Sequence, residues 1–116
     1  MGRLVVRLLR SLAVARLLVR DVDLFFRAKL EAQLADTHEF VTRPDGADLA
    51  IVDIGRVEPE ALAAELAHMP VLGFTNHTDT DGLRAAHQAG FDRVVIRSVI
   101  SQRAPEVVGE LLRTRG

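Results

Sequence analysis

Short apolar runs and segments with helical periodicity alternate along most of the chain. Apolar runs that end in a polar residue predict strands at residues 15–19, 39–42, 49–52, 70–75 and 94–96. Apolar residues spaced three or four apart predict helices at 23–35, 59–66, from 78–80 to 90, and at about 101–112. In the first helix, Phe26, Leu30 and Leu34 stand at i, i+4 and i+8. Strands that alternate with helices are typical of an α/β protein with a parallel, doubly wound sheet.

Right-handed crossovers reduce the topology to a flavodoxin-like, three-layer sandwich around a five-stranded parallel sheet. The second crossover helix is missing, because only Arg-Pro-Asp-Gly-Ala separates Thr42 from Asp48. Five or six extended residues span about 18 Å, which is barely enough to cross a sheet edge. Pro44-Asp-Gly46 is also a turn signal, so a hairpin remains an alternative to the favoured truncated crossover.

The charge of the chain is unevenly distributed. Residues 1–20 hold five of the fifteen basic residues and none of the sixteen acidic ones, which leaves a balance of −6 elsewhere. This remainder should repel nucleic acid. The arginines also interrupt the one candidate for a membrane span or signal peptide, which predicts a cytoplasmic protein. The chain has no cysteine, which excludes disulfides and thiolate metal sites.

Residues 1–14 are expected to form a basic amphipathic extension, and residues 15–116 the domain itself. Arg3, Arg7 and Arg10 stand at i, i+4 and i+7 of a predicted helix whose other faces are apolar. Such a helix could contact a membrane surface or a partner, or pack on the domain.

Three predicted strands deliver polar residues to one edge of the sheet. Asp53 ends the third strand, Thr75 ends the fourth, and Arg97 follows the fifth. Open α/β sheets place their chemistry at the carboxyl ends of the strands. An acid, a hydroxyl and a cation are therefore expected to meet there.

These strand ends resemble those of response-regulator receiver domains of two-component signalling. Residues 15–112 carry the resemblance, through Asp48-Leu-Ala-Ile-Val-Asp53, Pro70-Val-Leu-Gly-Phe-Thr75, Ala86-His-Gln-Ala-Gly-Phe-Asp92 and Arg97. The resemblance implies a CheY-like form of the flavodoxin-like fold. It also implies that Asp53 is the phospho-acceptor, that Thr75 binds a phosphoryl oxygen, and that Arg97 replaces the lysine that binds another.

The acidic pair that holds Mg²⁺ in receivers is altered. After the first strand the chain reads Val19-Arg20-Asp21-Val22-Asp23, and either alignment leaves one carboxylate, Asp21, at the pair. Asp23 could substitute for the missing acid, so Asp21, Asp23 and Asp53 are candidate ligands of a weakened Mg²⁺ site. Arg20 would compete for the same carboxylates. No cofactor is required by the sequence, and Mg²⁺ is the one that it allows.

Further receiver features are changed. A planar guanidinium at Arg97 is not equivalent to a lysine, Ser98 stands where receivers often have proline, and Val94 replaces the aromatic that reports phosphorylation. The segments Val-Arg-Asp21, Gly-Phe-Thr-Asn-His77 and Ile-Arg-Ser98 resemble small receiver-like bacterial proteins. The chain therefore resembles an atypical receiver, or pseudo-receiver. His77, in the loop after Thr75, is a possible metal ligand or proton acceptor, although a lone loop histidine is more often a surface residue.

The expected function is a stand-alone receiver-like signalling module that is not an enzyme and has lost or impaired phosphotransfer. Its partners would be proteins, such as a histidine kinase, an effector or a second copy of the chain, with no nucleic acid. The expected docking face consists of Leu83, Ala86, His87, Val95, Val107 and Leu111. One alternative is a working response regulator phosphorylated on Asp53 with Mg²⁺, and another is a small-molecule binder at the carboxyl edge of the sheet.

Overall fold

A parallel sheet of five strands forms the centre of the structure, in the order β2-β1-β3-β4-β5. The computed structural model describes residues 14–115. The strands are β1 (Arg16–Arg20), β2 (Glu39–Val41), β3 (Leu49–Asp53), β4 (Val71–Thr75) and β5 (Arg93–Ile96). The helices are α1 (Leu24–Leu34), α2 (Pro59–Glu65), α3 (Thr80–Gln88) and α4 (Arg97–Arg115), and a 3₁₀ turn at Ile54–Arg56 follows β3. Every neighbouring pair of strands is parallel, as the sequence predicted.

The helices cover both faces of this sheet. Leu17 of β1 faces the layer of α1 and α4, where it packs with Phe26 and Leu30. The next residue, Leu18, faces the layer of α2 and α3 and packs with Leu62. Successive strand residues alternate between faces, so both sides of β1 are apolar and buried. The three-layer, doubly wound arrangement is confirmed.

The second crossover helix is absent, and the hairpin alternative is wrong. Val41 is level with Leu18 of β1, and Leu49 is level with Leu17, so the chain returns by only one residue along the strand direction. It has to cross one intervening strand, a distance of about 10 Å. Residues 42–48 are long enough for this because β2 is so short. Ala47 in the link packs against the core on the α2 and α3 side.

Capping residues and glycine determine where the helices begin and end. Asp23 caps α1 by accepting a hydrogen bond from the Phe26 amide at 2.9 Å, and Pro59 opens α2 at its first turn. Asp79 caps α3 by accepting a hydrogen bond from the Gly82 amide at 3.0 Å, and the helix ends before Gly90, whose φ is +95°.

The last helix differs from the prediction. It begins at Arg97, directly after β5, and is interrupted at Arg103, where φ is −132°. Pro105 lacks the amide hydrogen that would bond the carbonyl of Ser101. Gln33 of α1 supplies the missing donor, since its Nε2 lies 2.8 Å from that carbonyl oxygen. The interruption therefore joins α4 to α1.

Two further expectations concern the N-terminal extension and the absence of a membrane span. The basic helix expected at residues 3–13 lies outside the described residues, and the division at residue 14 stays a prediction. No helix between residues 14 and 115 has the length and apolarity needed to cross a membrane.

Candidate functional site

The structure brings Asp53, Thr75 and Arg97 to the same edge of the sheet. Asp53 and Thr75 are the last residues of the adjacent strands β3 and β4, and Arg97 directly follows β5. A Cβ added to Gly55 would lie 3.4 Å from Asp53 Oδ1 and 3.8 Å from Thr75 Oγ1. The acid and the hydroxyl thus border the same small space beside Gly55.

Arg97 is the nearest charged partner of Asp53. Its Nη2 donates to Asp53 Oδ2 at 3.1 Å, while Arg56 Nε lies 3.8 Å from the same oxygen. The other carboxylate oxygen accepts from the Gly55 amide at 3.0 Å. Asp53 is only 4% exposed, so these partners offset the free-energy cost of burying its carboxylate. The carboxylate is neutralised by cations of its own chain.

Two aromatic rings hold the Arg97 guanidinium in place. Phe26 of α1 and Phe74 of β4 stack with ring centres 4.7 Å apart. Arg97 Cζ lies 5.1 Å from the centre of the Phe26 ring and 5.2 Å from that of Phe74, within cation–π distance of both. The cation is fixed by aromatic contacts as well as by its ion pair with Asp53.

The hydroxyl of Thr75 is used within the fold. It donates to Asp79 Oδ2 at 2.9 Å, and Asp79 Oδ1 accepts from the Gly82 amide at 3.0 Å. A side chain at Gly82 would collide with the Asp79 carboxylate, so glycine permits this close approach. The hydrogen bond anchors the start of α3 to the end of β4.

The candidate magnesium ligands each have a partner of their own. Asp21, whose φ is +56°, forms an ion pair with Arg20, with 3.5 Å between Oδ2 and Nε. Asp23 caps α1. Within residues 14–115, no three acidic or histidine side chains form a group that could hold a metal ion. Because Asp53 is paired with Arg97, these side chains as arranged do not fit a Mg²⁺ ion. Magnesium binding by Asp21, Asp23 and Asp53 stays a prediction.

Arg20, the last residue of β1, forms an ion pair with an acid at the end of α2. Its Nη1 and Nη2 lie 2.6 and 3.1 Å from the carboxylate oxygens of Glu65. This hydrogen bonding raises the pKa of Arg20 and lowers the pKa of Glu65. The cation thereby connects the end of β1 to the end of α2.

The expected docking face is wrong in four of its six residues. Ala86, Val95, Val107 and Leu111 are buried and belong to the core, because they face the sheet or the helices packed on it. The sequence argument missed a different surface. Leu24 and Phe25, at the start of α1, are 81% and 88% exposed. The signal was present, since only Phe26 of the Leu-Phe-Phe run is in phase with Leu30 and Leu34.

No family model matches the sequence, and neither does any curated protein. Solved structures do match. NtrX from Brucella abortus is 19% identical, with a TM-score of 0.72 over 87% of this chain and 28% of that chain. A response regulator receiver domain protein from Clostridium thermocellum is 18% identical, with a TM-score of 0.71 over 87% of this chain and 96% of that one. A response regulator from Thermotoga maritima is 14% identical, with a TM-score of 0.68 over 86% and 98%.

The chain thus spans about a quarter of NtrX but nearly all of the two shorter proteins. Identities this low establish the fold and not the chemistry of the site. The fold of this chain is that of a response-regulator receiver domain.

Proposed function

We propose that this protein is a receiver-like signalling module that acts by binding other proteins, with phosphotransfer at Asp53 lost or impaired. The observation that carries the proposal is the ion pair between Asp53 and Arg97. Phosphoryl transfer needs a carboxylate oxygen that is free to attack. In Asp53, one oxygen accepts from the Gly55 amide and the other from Arg97.

The surroundings of the pair also support the proposal. Arg97 would have to move away from the Phe26 and Phe74 rings in order to bind a phosphoryl group attached to Asp53. Thr75 would have to break its hydrogen bond to Asp79 before it could bind a phosphoryl oxygen. Each rearrangement costs an interaction of about 1 kcal/mol, so the present geometry opposes the modified state.

A second candidate is a working response regulator phosphorylated on Asp53 with Mg²⁺. The observation in its favour is that Asp53 Oδ1 and Thr75 Oγ1 border the same space beside Gly55. The two candidates differ in whether Asp53 binds Mg²⁺ and a phosphoryl mimic.

Amide NMR spectra recorded with Mg²⁺ and then beryllofluoride separate these candidates. The proposal predicts no saturable shifts at Asp53, Thr75 or Arg97 that depend on the Asp53 carboxylate. Shifts at these residues that vanish in Asp53→Asn, but persist in Asp81→Asn at an exposed position of α3, would overturn it and establish the second candidate. Asp53→Asn is the matched variant because it keeps the shape of the side chain while removing its charge.

The partner-binding surface proposed here is the exposed pair Leu24 and Phe25. Two large apolar side chains that are exposed next to each other form a small apolar patch, and patches with an aromatic anchor mark interaction sites. The partner would be a protein, such as a kinase or an effector, and the module would itself not be an enzyme. The cytoplasmic location expected from the sequence belongs to the same proposal.

A photo-crosslinking amino acid at position 25 tests this surface in cells. We expect a discrete cross-linked product from position 25 and none from the exposed position 84 of α3. The same products from both positions, or none from either, would exclude Phe25 as the contact. A product of twice the chain's mass would identify the partner as a second copy.

A further inference from the structure

A groove of about 330 Å³ lies beside the candidate site, between α1, the loop after β4 and the junction of β5 with α4. Its polar lining consists of Lys29, Asn76, His77, Arg97, Ser98 and Ser101. Phe26 and Ile96 supply the apolar part of the wall. A volume near the lower end of the range for ligand pockets suits a small molecule with few carbon atoms.

The charge of the lining is positive. Lys29 and Arg97 are cationic, and none of the acidic residues that the structure describes lines the groove. Two other grooves in the described part of the chain are different. The groove beside α2 combines Arg20 and Arg56 with acids that include Glu65, and the groove beside the start of β5 combines its arginines with Asp92 and Glu110. Acidic residues therefore line those two grooves beside their arginines, which distinguishes both from the groove beside the candidate site.

Several hydrogen-bond donors in the groove have no partner among the residues that the structure describes. The ammonium of Lys29, the imidazole of His77 and the hydroxyl of Ser98 make no hydrogen bond or ion pair with any other residue between 14 and 115. Arg97 uses only Nη2 toward Asp53, which leaves its other N–H groups for another acceptor. Unused donors around a positive groove match a ligand that is an anion and a hydrogen-bond acceptor.

We propose that this groove binds a small phosphomonoester without covalent transfer of its phosphoryl group. Lys29 and Arg97 would hold the phosphate, because guanidinium and ammonium groups both bind phosphate. Two cations suit the double negative charge of a phosphomonoester better than the single charge of a carboxylate ligand. Asn76, Ser98 and Ser101 would bind hydroxyl groups of the ligand, and Phe26 and Ile96 its carbon atoms. The site is independent of whether Asp53 accepts a phosphoryl group.

The composition of the chain permits a direct test, because Lys29 is its only lysine. Reductive methylation with ¹³C-formaldehyde labels Lys29 and the terminal amine alone, and it keeps the charge of the lysine. The methyl signals are followed by NMR during titration with glycerol 3-phosphate, without Mg²⁺ and at ionic strength matched with sodium chloride. We expect the Lys29 signal to shift saturably while the signal of the terminal amine stays nearly constant.

Two variants and a second titrant complete the experiment. Arg97→Gln should weaken binding about tenfold, whereas Arg84→Gln, at an exposed position of α3, should leave it unchanged. Asp53→Asn should still bind, which separates this site from phosphotransfer. Inorganic phosphate shows the source of the anion: weaker binding than that of glycerol 3-phosphate indicates an organic ester, and equal binding indicates the free ion. No shift of Lys29, or equal drift of both methyl signals, would overturn the proposal.

Discussion

Arg97 reaches across the end of β4 to pair with Asp53, with 3.1 Å between Nη2 and Oδ2. The two residues are 44 positions apart and belong to the ends of strands that are not neighbours. Their environments are unequal, since the Arg97 side chain is 39% exposed and that of Asp53 is 5% exposed. The acid therefore depends on the pair more strongly than the cation does.

Removal of the Arg97 charge should destabilise the fold. Arg97→Met keeps an apolar stem beside Phe26 and Phe74 but leaves Asp53 buried without its main partner. Breaking a fully buried pair costs 3–5 kcal/mol, and the exposure of Arg97 reduces the expected loss to about 2 kcal/mol. Urea denaturation followed by circular dichroism measures this loss. Arg56→Met, at the longer contact of 3.8 Å, should cost under about 0.5 kcal/mol, and equal losses for both variants would contradict the assignment of Arg97 as main partner.

The Thr75 hydroxyl should contribute to stability through Asp79. Thr75→Val keeps the shape of the buried side chain but removes the hydroxyl. Asp79 Oδ2 then loses the hydrogen bond that it accepts from Thr75 at 2.9 Å. The expected loss in the free energy of unfolding is about 1–2 kcal/mol. Thr75→Ser keeps the hydroxyl and serves as the control. If Thr75→Val were as stable as the unaltered protein, the hydrogen bond would have no net value.

Two glycines should respond to alanine in opposite directions. A Cβ at Gly73 of β4 would lie 2.6 Å from the Phe91 ring and 2.9 Å from Ile54 Cδ1, so Gly73→Ala should cost about 1–3 kcal/mol. At Gly109 of α4 the nearest atom is the end of the Arg113 side chain at 3.4 Å. Gly109→Ala should therefore stabilise the helix by about 0.5–1 kcal/mol. Thermal unfolding of both variants checks the two signs, and a stabilised Gly73→Ala would show that the side chains of Phe91 and Ile54 can move aside.

Stability should decrease in mildly acidic solution because of His38. Burial lowers the pKa of His38 below its ordinary value of 6.5, and Nδ1 accepts the Ala15 amide at 3.0 Å, which requires an unprotonated nitrogen. The folded state thus favours neutral His38. The stability that neutral His38 contributes is complete above the pKa of histidine in the unfolded chain. It is lost as the pH falls below about 6.5.

Urea denaturation between about pH 7.5 and pH 5.5 tests this, because most carboxylates stay ionised over that range. In His38→Gln the decrease should be smaller, since glutamine does not titrate. His87→Gln, at an exposed position of α3, is the matched control and should keep the decrease caused by His38. An unchanged decrease in His38→Gln would assign it to another group.

The sequence predicted the sheet and the meeting of Asp53, Thr75 and Arg97, because strand ends are visible as polar residues after apolar runs. It also identified the buried stripe of Phe26, Leu30 and Leu34. It did not predict the Thr75–Asp79 hydrogen bond or the position of Arg97 over two rings, because both depend on how side chains cross between elements. The docking face failed for a related reason. Helical periodicity shows which residues share a side, but it does not show whether that side meets solvent or the sheet.

The short strand β2 limits how two copies of the chain could associate. β2 pairs over only three residues and carries the exposed Glu39, and the opposite edge strand, β5, has four residues and the exposed Arg93. Short, charged edges are poor templates for the addition of another strand. Any homodimer should therefore use helices or loops, and a sheet that runs continuously through two subunits is not expected.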